Sequence, residues 1–165
     1  TSIVFLRKYG YNLWLWFDLM MPSILFGLII LQLANFMMQF SLGTPLGLDI
    51  PNDHSLAEYV EYRYRPTGFE AYQYFQPVAL YQAFAYSIVF MISVLCLLIN
   101  RKYKFLAEGT VFLFSVILMA IIRFGIGFMY FSVNKDMLLY PMQWIALTVM
   151  IATVFIYVVK RFQHN

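Results

Sequence analysis

Four stretches of this chain, roughly 12–38, 77–99, 106–131 and 138–159, are each long and apolar enough to cross a bilayer. A helix rises about 1.5 Å per residue, so about 20 apolar residues cover the ~30 Å hydrocarbon core. The rest of the composition agrees. Hydrophobic residues are 62% and charged residues 12% of the 165, against roughly 45–50% and 25% in a soluble domain, so the side chains needed for a water-facing surface are missing. The chain reads as one all-α integral membrane domain over residues 1–165, with four transmembrane helices. The connections near 100–105 and 132–137 are tight turns, which makes successive helices antiparallel. Only the segment from about 41 to 74 has room for a small folded element.

Charge gives the helices a direction. Arg7 and Lys8 precede the first span, Arg101, Lys102 and Lys104 join the second to the third, and Lys160 and Arg161 end the fourth. The other end carries Asp49, Asp53, Glu58, Glu61, Glu70 and Asp136 with Arg63, Arg65 and Lys135. Basic residues are retained on the cytoplasmic side. Both termini are therefore expected in the cytoplasm, and the 41–74 loop is expected to form an extracytoplasmic head. A net charge of +3 spread this thinly does not suggest nucleic acid. The single cysteine, Cys96, excludes an internal disulfide and any multi-cysteine metal site, and is expected to be buried apolar packing. His54 and His164 have no ligand-spaced companion, so neither a metal nor a cofactor is expected. Thr1 is not an initiator methionine and no signal-peptide pattern opens the chain, as expected of a piece of a longer protein.

Within "FSVILMAIIRFGIGFMYF" sits one permanent charge, Arg123. Counted from the start of span three it lies roughly 25 Å from the inner surface, near the outer phosphate level. Gln32, Asn35 and Gln39 follow an i, i+3, i+7 spacing that puts them on one face of span one. Gln73 and Gln76 open span two, with Gln82 about 9 Å deeper, and Gln143 marks the outer end of span four. Four helices thus bring amides and one guanidinium to the same height. Two readings remain open. In one, the amides are interhelical glue and Arg123 snorkels to the interface. In the other, the guanidinium holds a phospholipid headgroup with amides around it. The second intramembrane charge, Asp18 in "NLWLWFDLMMPS", lies about 9 Å in from the cytoplasmic edge and suits an interfacial role rather than catalysis. Trp14, Trp16 and Tyr11 beside it read as an inner aromatic belt, and Tyr72, Tyr74, Tyr130 and Tyr140 as an outer one. In the head, Ser55 and Glu58 fit a capping box for a brief helix, and "YRYRP" alternates like a strand. Its tyrosines suit either contact with headgroups or a partner, or simple packing as a lid.

The order of these motifs resembles the prolipoprotein diacylglyceryl transferase family, specifically its C-terminal part. "FDLMMPSILFGLIILQLANFMMQFSLGTP" is similar to the family's Asp…Pro-Ser helix running into its G-R-x-G-N-F-x-N-x-E…G signature. "FQPVALYQA" is similar to its H-P-x-x-L-Y-E element, "IIRFGIGFMYF" to its later Arg-Phe…Glu element, and "YPMQWIAL" to the M-G-Q-W segment of its last helix. The family's N-terminal helices, with a histidine thought to be essential, would precede Thr1.

The resemblance implies a protein of the bacterial cytoplasmic membrane that moves a diacylglyceryl group from phosphatidylglycerol to a lipoprotein precursor's cysteine at the outer leaflet. It carries Asn35 and Gly43 onto the signature, Pro77, Leu80 and Tyr81 onto the second element, Arg123 onto the later arginine, and Gln143 onto the last helix. The signature's arginine and glutamate fall on Gln32 and Phe40, the second element's histidine and glutamate on Gln76 and Gln82, and the later glutamate on Gly127. Glutamine keeps hydrogen-bonding capacity but supplies no cation and accepts no proton near neutral pH. A transferring phosphate that is denied one charged partner reacts about a hundredfold more slowly, or worse. The residues therefore point to a relative with impaired catalysis that binds a phosphatidylglycerol-like phospholipid or an acylated partner, such as a lipoprotein or another membrane subunit. The expected site comprises Arg123, Asn35, Gln32, Gln76, Gln39, Tyr81 and Gln143, with Gly43 as a backbone position. An active transferase and a purely structural helix packer stay as alternatives.

Overall fold

The computed structural model describes residues 12–47, 56–104, 106–130 and 141–164. Four helices dominate it: α1 (Leu13–Met37), α2 (Val78–Tyr103), α3 (Thr110–Ile126, continued by a 3₁₀ turn Gly127–Met129) and α4 (Pro141–His164). All four are long and apolar enough to cross a membrane, so the protein is a multi-pass membrane protein. The closest pairings are α1 with α2 and α3 with α4. The core gathers Met21 and Leu25 of α1 and Val89 of α2, with Phe112, Val116 and Met119 of α3 packed against them. Elsewhere the helices present large apolar side chains outward, as Phe84, Met91 and Phe155 do. A helix apolar all round suits lipid and not water.

Between α1 and α2 lies a head built on three short antiparallel strands, β1 (Pro45–Gly47), β2 (Glu58–Tyr59) and β3 (Tyr74–Phe75), in the order β1-β3-β2. Phe75 faces Pro45 on one side and Glu58 on the other. Two local expectations fail here. Glu58 belongs to a strand and not to a capped helix, because pairing with β3 places Val60 and Phe75 fully inside. Tyr62–Tyr64 form a 3₁₀ turn and not a strand, closed by Tyr64 N–H donating to Glu61 C=O at 2.9 Å. Ser55 and His54, like Tyr11 and Tyr140 of the expected belts, lie outside the described residues.

The third span starts later than its hydrophobicity suggests. Residues 107–109 form a turn, and α3 begins at Thr110 behind Gly109, whose φ of 82° is a left-handed conformation that glycine adopts without strain. Arg123 therefore lies roughly 20 Å along α3, deeper than a start at 106 implies. At the head end α1 closes on Gln39, which adopts φ 54° where glycine is usual.

Candidate functional site

The described charges and polar groups divide between the two ends of the bundle. At the end formed by residues 100–110, the basic end, Asp18 is buried in α1 and accepts hydrogen bonds from the backbone N–H of Gly109 at 2.6 Å and of Phe112 at 2.7 Å. Gly109 has no side chain with which to cap α3, so a carboxylate from another helix fills the cap position. There it meets both orphan donors and the positive end of the helix dipole. Lys160 of α4 lies within electrostatic reach of Asp18, and its ammonium sits 4.3 Å from the Trp14 ring. A Cβ on Gly109 would fall 2.5 Å from the Trp14 ring and 2.8 Å from Lys160 Nζ. Asn12 donates to Glu108 beside this group. Asp18 thus ties α1 to the start of α3, with the buried Lys160 ammonium of α4 within electrostatic reach and without a hydrogen-bond partner among the described residues.

The head itself carries charge, with an Arg63–Glu61 ion pair at 3.0 Å, but the polar cluster where it meets the bundle is built from neutral side chains. Gln82, fully buried on α2, donates through Nε2 to the Tyr86 hydroxyl at 2.8 Å and accepts the Tyr130 hydroxyl at 2.9 Å. Ser41 is hydrogen-bonded to the same Tyr130 phenol. The backbone of Tyr130 bridges Gly43, Gly43 N–H donates to Gln76 C=O at 3.1 Å, and Thr44 N–H donates to Met129 C=O at 3.2 Å. Gly43 is needed for this close approach, because a Cβ there would sit 2.5 Å from Val78 Cγ2 and 2.6 Å from Gln76 O.

The expected site residues fall into separate groups. Gln32 is buried and accepts from Asn35 at 3.3 Å, so two amides of α1 satisfy one another. Gln39 reaches into the head, donating to Tyr59 C=O at 2.8 Å and accepting from Glu61 N–H at 3.2 Å, which holds its left-handed backbone in place. Gln76 ties the head to α2 through its backbone. Tyr81 donates to Leu56 C=O at 3.5 Å, beside an apolar groove whose walls include Ile29 and Leu33 of α1 and Phe84 of α2. Gln143 is buried and donates to Phe124 C=O at 3.3 Å. Arg123 is half-buried, and its Nη2 lies 3.8 Å from Met142 Sδ. It opens on a small cavity of about 160 Å³ lined by Tyr86, Met119, Met142 and Ile145, with none of the expected amides among its walls. Its charge does reach the Tyr130 phenol. Among the described residues Arg123 has no ion pair.

The five positions where the resemblance places ionisable residues are accounted for structurally. A Cβ on Gly127 would fall 2.5 Å from Gln143 Cγ, so the side chain of Gln143 occupies the space an acid at 127 would need. Gln82 donates to one phenol and accepts from another, a pattern that an ionised carboxylate, all acceptor, does not reproduce. Gln32 is paired with Asn35, Gln76 serves through its backbone, and Phe40 is 78% exposed.

Sequence reasoning missed Tyr86, whose only signal was its i+4 spacing from Gln82, and Glu58. Glu58 is buried in β2, and burial pushes its carboxyl up to about 7. Cys96 is half-buried and not fully enclosed, on the wall of an apolar cavity of about 420 Å³ that also includes Phe114 and Tyr157.

No curated protein and no solved structure matches the chain. A family model described as prolipoprotein diacylglyceryl transferase matches residues 1–159, from before α1 through most of α4. Together with the four membrane-spanning helices, that match places this chain in the prolipoprotein diacylglyceryl transferase family.

Proposed function

We propose that this protein is a member of the family with impaired catalysis, holding an anionic phospholipid headgroup or an acylated partner at the outer leaflet of a bacterial cytoplasmic membrane, as a subunit of a membrane complex. The basic end faces the cytoplasm in this reading and the head lies outside, as the distribution of lysine and arginine favours. One observation carries it: Arg123, far along a membrane span, is half-buried and has no ion pair among the described residues, its guanidinium lying 3.8 Å from the Met142 thioether. A guanidinium in that setting needs an anion, and a lipid phosphate met by the long side chain reaching up from the outer half of the span supplies one bidentately. The amides are already paired with one another, with tyrosines or with backbone and stand outside the Arg123 cavity, so Arg123 alone provides the recognition and the charge. The chemistry of diacylglyceryl transfer needs a base for the thiol and cations for the departing glycerol phosphate. Neutral residues stand where the family carries that equipment.

The purified chain should retain phosphatidylglycerol, and Arg123→Gln should lower that retention about tenfold, measured by mass spectrometry of detergent-solubilised protein. Equal retention by the variant rejects the assignment. A second reading, an active transferase with relocated residues, is favoured by Glu58, whose carboxyl at about 7 could take a proton from a thiol. Thioether-linked diacylglycerol appearing on a lipobox peptide, and lost in both Arg123→Ala and Glu58→Gln, would establish that reading in place of the first.

A further inference from the structure

We propose a second lipid site, independent of the Arg123 site and at the opposite end of the bundle. The cleft between α1 and α2 at the basic end takes one anionic phospholipid, its phosphate on Arg101 and Lys104 and an acyl chain along Leu15, Leu19 and Leu98. This cleft has a volume of about 740 Å³, within the roughly 300–1,000 Å³ of known small-molecule sites. Leu15, Leu19 and Leu98 on its walls are 44%, 58% and 60% exposed, so it is open at the side towards lipid. It lies roughly 28 Å along α2 from Gln82.

The polar end of the cleft decides the occupant. It holds Asp18, Asn100, Arg101, Lys104 and Glu108. Both acids are engaged: Asp18 takes two backbone N–H groups, and Glu108 takes the amide of Asn12. Asn100 grips Leu106 twice, accepting its N–H at 2.8 Å and donating to its C=O at 3.3 Å. Lys102 is turned onto the Tyr103 ring. The side chains of Arg101 and Lys104 remain, both exposed and without a hydrogen bond or ion pair among the described residues. Arg101 lies in the last turn of α2 and Lys104 caps it at φ 50°, with its N–H on Asn100 C=O at 2.8 Å. The backbone under both cations is thus already ordered, and binding one phosphate has only their side chains to fix. The neighbouring carboxylates weaken the pull on a free anion, so binding requires the acyl chain as well as the charge.

The test is native mass spectrometry of the full chain, carried out on the Arg123→Gln background so that the head-end site is not counted. Palmitoyl-oleoyl phosphatidylglycerol, phosphatidylcholine with the same chains, and glycerol 1-phosphate are titrated separately. Phosphatidylglycerol should bind more tightly than phosphatidylcholine, and glycerol 1-phosphate should not bind. Arg101→Gln with Lys104→Gln should weaken phosphatidylglycerol about tenfold or more and leave phosphatidylcholine unchanged. Leu19→Trp, at a position that faces outward, should fill the cleft and weaken both lipids. Equal binding of the two lipids, competition by glycerol 1-phosphate, or an unchanged titration in either variant overturns the proposal. Should the double variant fail to fold, Leu19→Trp decides alone.

Discussion

The two ends of this bundle treat charge in opposite ways. At the basic end a buried carboxylate meets two backbone donors at 2.6 and 2.7 Å, with a lysine of a third helix nearby. At the head end of the spans Gln82, Tyr86 and Tyr130 form a neutral relay, Gln143 fills the space beside Gly127, and the intramembrane guanidinium, Arg123, has no acid among the described residues. The contrast separates two uses of an intramembrane ion. An ion that closes a helix cap and faces a counter-charge holds the fold together. One left with a thioether, beside a small cavity, is available to something else.

The comparison is broken most directly at Asp18. Asp18→Ala should cost about 3–4 kcal/mol, because two charge-assisted hydrogen bonds disappear and Lys160 is left near no buried anion. Unfolding in mixed detergent with a rising fraction of SDS measures it. A loss below that caused by Gln82→Leu would put the structural weight at the head end instead. Gly109→Ala should follow at about 2–3 kcal/mol in the same measurement, since the added methyl meets Trp14 and the left-handed backbone becomes strained. No loss there would mean that the link between Asp18 and the start of α3 tolerates displacement.

Glu58 sharpens the contrast, because it is a head-end acid that is buried without an ion pair among the described residues. Its carboxyl titrates at about 7 when folded against 4.5 for the free side chain. The folded protein therefore holds that proton more tightly. The stability this contributes is complete below about 4.5, declines as pH rises, and is gone above about 7. Glu58→Gln should match the parent at pH 4 and exceed it by about 1–2 kcal/mol at pH 8, the reverse sign of an Asp18 substitution. A parent as stable at pH 8 as at pH 4, relative to the variant, removes Glu58 from the head's interior.

The four spans could be read in the sequence because a membrane helix must be apolar along its whole length, and no tertiary contact is needed to see it. The lag at the start of α3 could not. It depends on Asp18, ninety-one positions from Gly109, and the sequence marks Asp18 only as an acid near Pro22. The polar residues were legible as a set and not as partners. The spacing put Gln32 and Asn35 on one face, which the bond between them agrees with. Nothing in it says that Gln39 turns into the head or that Gln82 is enclosed by two phenols from different segments. Depth along a helix follows from counting residues, whereas the direction a side chain takes across the bundle depends on neighbours distant in sequence. The head was misread for the same reason, because Glu58 looks like a capping residue until β3 arrives to pair with it.

The trans cap on α3 also has a temporal side. A ribosome releases α1 long before residues 109 and 112 exist, so the Asp18 carboxylate enters the membrane edge with neither of its eventual donors. The first span must therefore wait, at shallow depth or in the company of the insertion machinery, until the hairpin behind α2 is made. The contact that joins α1 to α3 therefore belongs to a stage of biogenesis after both hairpin arms have been made.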